Sequence, residues 1–137
     1  MKSLKTVFVL FLFFITVSLS AQNLVGYKLK DIRKYMRENQ KSMSWQGLTF
    51  NKTFKYAKFA DRDGMQTTLF FLTVDTVCKG IRMVCDKSMK LDMLKDLDSK
   101  YKKSGPNQWT GGKEGTDYLI ELREEEWTFN VTISIKD

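Results

Sequence analysis

Apolar and polar residues alternate most regularly near the end of the chain. Trp127, Phe129, Val131, Ile133 and Ile135 fall on one side, and Thr128, Asn130, Thr132 and Ser134 on the other. A period of two predicts a strand over residues 126–135 with one buried and one wet face. Upstream, residues 54–60 and 65–74 read as strands flanking Asp61-Arg62-Asp63-Gly64, whose Asp-Gly pair is a hairpin signal. A turn near Asp75-Thr76 leads to a strand over 77–85. Another strand, over 118–123, precedes a tight turn at Glu124-Glu125.

Two segments carry the helical period instead. Leu29, Ile32, Tyr35 and Met36 form one stripe, which predicts a helix over 27–40. Met93, Leu94, Leu97 and Tyr101 form a second stripe. Asp86 or Ser88 can cap its start by accepting a free backbone N–H. Gly105 followed by Pro106 is the stop signal, since proline cannot continue the helical ladder.

The order helix, three strands, helix, two or three strands predicts an α+β fold. The expected architecture is an antiparallel sheet of five or six strands with two helices packed on one face. Trp45 precedes Phe54 and Tyr56 much as Trp109 precedes Tyr118 and Ile120, an echo that suggests a tandem helix-plus-hairpin repeat. In arrangement alone this plan is similar to small exported inhibitor domains such as the beta-lactamase inhibitory proteins, with no shared residues behind the analogy.

The first 21 residues predict export. Lys2 and Lys5 precede an apolar run of 11 residues over 7–17, and Ser18, Leu19, Ser20 and Ala21 supply a small-residue exit. That is the pattern of a cleaved signal peptide, because the run falls short of the roughly 20 residues that span a bilayer. Residues 22–137 are then one α+β domain, secreted or periplasmic, with no transmembrane segment after cleavage. Cleavage removes two lysines and takes the formal net charge from +7 to +5. Residues 28–41 hold six basic side chains (Lys28, Lys30, Arg33, Lys34, Arg37, Lys41) against Asp31 and Glu38. The plain reading is a solvated helix face, with an anionic partner surface as the alternative. Export argues against nucleic acid.

Catalytic chemistry finds little support. The chain has no His, which excludes Ser-His-Asp and Cys-His pairs and His-ligated metal sites. Cys78 and Cys85 are the only cysteines. An even pair in an exported chain suggests a disulfide. On one strand, however, a separation of seven puts them on opposite faces and far apart, and with a turn at Lys79-Gly80 only a six-residue loop would align them. The sequence leaves their oxidation open, with Cys85, in phase with Ile81 and Met83, expected as a buried apolar thiol. Asp61, Asp63 and Gly64 lack the further oxygen ligands of a calcium loop and read as a turn. Gly111-Gly112-Lys113 lacks phosphate-loop spacing. Glu124, Glu125 and Glu126 at a hairpin tip are too solvated to separate their pKa values for acid–base work. The chain is therefore expected not to be an enzyme, and to use no cofactor and no metal.

One anomaly points to binding. Residues 65–74 are apolar on both faces, and two helices on one face of a sheet leave the other uncovered. Phe70, Leu72 and Leu119 are the expected residues of that open face, unless the segment 42–53, with Trp45, Leu48 and Phe50, folds over it. The expected function is an exported non-catalytic module that recognises a protein or small ligand through one sheet face. A structural or envelope-associated role is the alternative. The sequence leaves the oligomeric state open.

Overall fold

A computed structural model describes residues 23–113 and 115–136; the predicted leader lies outside the described residues. Helix α1 (Leu29–Asn39) is followed by strands β1 (Met43–Phe50), β2 (Lys55–Asp61), β3 (Gln66–Leu72) and β4 (Cys78–Asp86). Helix α2 (Lys90–Lys100) is followed by β5 (Lys102–Gly105), β6 (Gln108–Lys113), β7 (Thr116–Glu124) and β8 (Thr128–Ile135). All eight strands form one antiparallel sheet in the order β1-β2-β3-β4-β8-β7-β6-β5.

The sheet thus has eight strands rather than five or six, and the missed ones have a physical reason. β1, β5 and β6 lie at or next to the sheet's edges. An edge strand buries little, so selection does not impose apolar alternation on it. β5 reads Lys-Lys-Ser-Gly and is largely exposed. The second helix accordingly stops five residues before the expected stop at Gly105. Tyr101 is already extended, with φ −130° and ψ 161°. Gly105-Pro106 turns a β5–β6 hairpin instead, with Asn107 at φ 57°.

The repeat also has a different unit. Each half is a helix followed by a four-stranded meander, and the halves meet where β4 pairs with β8. The tryptophan echo does not mark it, since Trp45 lies in β1, the first strand of its half, and Trp109 in β6, the second.

Register explains the core. Ala57, Phe70, Ile81, Ile133, Ile120 and Trp109 lie opposite one another in a row across six strands. All are at most 2% exposed. Ile32 and Met36 of α1 and Met93 and Leu97 of α2 join this core, so both helices cover one face. Leu24 and Val25 join them there, held by the Gly26 N–H donating to Cys78 O and the Cys78 N–H donating to Tyr27 O. Gly111 admits the Tyr101 ring over β6: a Cβ there would meet Tyr101 Cδ1 at 2.7 Å. On β8, Phe129, Val131 and Ile133 point inward as their period predicts. Trp127 precedes the strand and is exposed, and Ile135 is half-exposed at its end.

Candidate functional site

No described helix lies over the second face of the sheet, and its residues follow from the same register. One row runs Tyr56, Phe71, Gly80, Ser134, Leu119 and Thr110. The next runs Lys58, Leu69, Arg82, Thr132 and Glu121. A third holds Ala60, Thr67, Val84, Asn130 and Arg123. Directly opposed residues share a face and touch.

The face divides into two halves. On β2 and β3 it is aromatic. Tyr56 and Phe54 pack on Phe71 at ring distances of 5.7 and 6.2 Å, and the Arg82 guanidinium lies 5.7 Å from the Phe71 ring. Phe54 comes from the β1–β2 turn, where Asn51 Oδ1 accepts the N–H groups of Thr53 and Phe54. That turn and the residues after β3 enclose a cleft of about 380 Å³, with exposed Phe50, Phe54 and Val74 at its mouth. On β8 and β7 the face is polar. Arg82, Glu121, Arg123, Glu125, Asn130, Thr132 and Ser134 line a hollow of about 370 Å³. The Asn130 Oδ1 there is buried and accepts no hydrogen bond within the described residues. Such an acceptor costs folding free energy unless water or a ligand satisfies it.

The three residues expected here separate. Leu119 lies on the open face, half-buried between Ser134 and Thr110. Phe70 and Leu72 do not: both are 2% exposed and lie in the core beneath the helices. The expected assignment of β3 to its two faces is reversed, and Leu69 and Phe71 are the outward residues. The reason is that β3 offers apolar side chains to both sides, so period alone cannot orient it. The usable signal lay next door on β2, where Lys58 must face water. Its hairpin partner is Leu69, which follows outward. The segment 42–53 does not cover the open face. It forms β1 and the turn after it, with Trp45 edge-on to Phe59 at 5.3 Å on the helix side.

The cysteines also depart from strict alternation. β4 shifts register opposite Phe71 and Leu72, so Cys78 and Ile81 both turn inward. Cys78 and Cys85 therefore share the covered face, and both are buried free thiols. Burial pushes their pKa values up to about 11 and about 12, which keeps both protonated at neutral pH. Asp61 and Asp63 form a hairpin turn in which Asp61 accepts the Asp63 and Gly64 N–H groups. Among the described residues no helix is long and apolar enough to cross a membrane. Comparison with family models, with curated proteins and with solved structures finds no match to this chain.

Proposed function

We propose that the protein is an exported, non-catalytic binding module that recognises a protein partner through the open face of its sheet. The observation that carries this reading is the aromatic half of that face. Tyr56, Leu69 and Phe71 stay partly exposed on the sheet, with the Phe54 ring of the β1–β2 turn and the Arg82 guanidinium set against Phe71 and no described helix over them. Aromatic side chains held on a rigid surface supply interface area at little entropic cost. The polar hollow beside them adds directional donors from Arg82 and Arg123 and the free acceptor of Asn130. An apolar patch rimmed by hydrogen-bonding groups is the usual anatomy of a protein interface. The alternative role, structural or envelope-associated, gives this exposed aromatic surface no task.

Site-specific photocrosslinking in the exported fraction tests the proposal. A crosslinker placed at position 71 should yield a discrete adduct, and one at position 95, on the exposed side of α2, should not. Leu69→Thr/Phe71→Thr should abolish the adduct formed from a crosslinker at position 119 while the protein stays folded. Equal labelling from positions 71 and 95 would sink the reading.

A further inference from the structure

We propose a second docking surface, independent of the open face: the β1 edge with the cationic groove beside it takes an extended acidic segment of another protein as a ninth strand. The two edges of the sheet differ in what they offer. β5 is four residues long, carries Lys102 and Lys103, and is followed by Pro106, all features that discourage strand addition. β1 spans eight residues and holds neither a charge nor a proline; its one interruption is a bulge between Trp45 and Gly47, which leaves the Leu48–Phe50 stretch regularly paired with β2 on its other side. The Asn51 N–H donates to the Phe54 carbonyl where the β1–β2 hairpin closes. Antiparallel alternation from that bond turns the N–H groups of Leu48 and Phe50 away from β2, toward open solvent. Main-chain groups of this kind are what strand addition uses.

Charge selects the occupant. α1 runs back along β1, and Arg33, Arg37, Lys41, Met43, Trp45 and Phe59 line a groove of about 280 Å³. The Arg33 guanidinium stacks 4.2 Å from the Trp45 ring centre, which fixes one wall. None of the three cations is ion-paired among the described residues. No carboxylate lines the groove; Asp61, across from Met43 on β2, accepts the Asp63 N–H. Asp31 and Glu38 fall on the far side of α1 from Arg33, given about 100° per residue. Arg33 and Arg37 are separated by about 6 Å of helix rise. Same-side residues of a strand recur every ~6.6 Å. Carboxylates at alternate positions of an added strand therefore meet successive cations. A second copy of this chain is disfavoured, since two-fold pairing of β1 would bring two basic helices together. An anionic membrane or nucleic acid would use the cations but leave the Leu48 and Phe50 amides unpaired.

A fluorescein-labelled decapeptide of alternating Glu and Val is a suitable probe, with a Lys-Val decapeptide, phosphatidylglycerol vesicles and a DNA oligonucleotide as comparators. The Glu-Val peptide should bind more tightly than the Lys-Val peptide and weaken at high salt. It should also slow amide exchange at Leu48 and Phe50. Arg37→Glu/Lys41→Glu, on exposed positions, should weaken it at least tenfold, and Leu48→Pro comparably. If Leu48→Pro fails to fold, amide exchange in the native protein decides the main-chain contribution. Leu69→Thr/Phe71→Thr should leave peptide binding unchanged, so this proposal and the open-face reading fail separately. Affinity within twofold of the parent in the charge-reversal variant would overturn it. So would exchange at Leu48 and Phe50 that the peptide does not slow, or binding of only the vesicles or the oligonucleotide.

Discussion

β8 and β3 are neighbours of β4 on its two sides, yet they constrain their own orientation very differently. β8 places Phe129, Val131 and Ile133 in the core and Asn130, Thr132 and Ser134 on the open face. A one-residue slip would bury three polar side chains and expose three large apolar ones. β3 places Thr68, Phe70 and Leu72 inward and Leu69 and Phe71 outward. The same slip there exchanges one apolar set for another. The strand with weak self-orientation is the one that supplies the aromatic half of the open face. The outer face of β3 therefore lacks the polar marking that identifies a solvent-facing strand.

The same exchange made on each face of β3 should have the most unequal effects. Phe70→Thr/Leu72→Thr removes two core side chains and buries two hydroxyls, and should cost about 5 kcal/mol or more, enough to unfold many domains. Leu69→Thr/Phe71→Thr, on the open face, should change stability by roughly 1 kcal/mol or less, because threonine suits a strand and leaves no cavity there. Denaturant unfolding of the two double variants checks this, and equal losses would mean that β3 has no distinct outer face. On β8, Phe129→Ala should cost about 3–5 kcal/mol, as for a fully buried aromatic. A loss under ~1 kcal/mol would contradict the inward assignment that its period predicts.

The smallest effect tests β4, where a register shift overrides strict alternation. With both thiols on the covered face, Cys78 and Cys85 should resist iodoacetamide at pH 8 in the folded protein and react readily once it is unfolded. Mass spectrometry reads the difference; rapid native labelling of Cys78 alone would place it outside. The raised pKa values also fix the direction of a pH effect. The unfolded chain releases these thiol protons above the ordinary value of 9.0, while the folded protein holds them to about 11 and about 12. This contribution is therefore present below pH 9 and is lost as pH rises toward 12.

Three local assignments could be read from the residues alone, α1, β8 and the Asp61–Gly64 hairpin, together with antiparallel strands accompanied by helices, whereas the mostly β, eight-stranded sheet could not. Each of the three rests on a local rule: a 3.6-residue stripe through Ile32 and Met36, a two-residue period through Phe129, Val131 and Ile133, an Asp-Gly turn. Of the residues expected on the open face, only Leu119 lies there, as the one outward leucine between Tyr118 and Ile120 on a strand otherwise apolar inward. The structure decided whatever depends on a neighbour. Phe71 rather than Phe70 faces outward because β3 takes its register from Lys58 on β2 and from the helices above Phe70. β5 exists because Lys102–Gly105 can pair with β6, although nothing in its own composition favours a strand. Edge strands and double-faced strands obtain their free energy from partners distant in sequence, so their local pattern carries little of the information that places them.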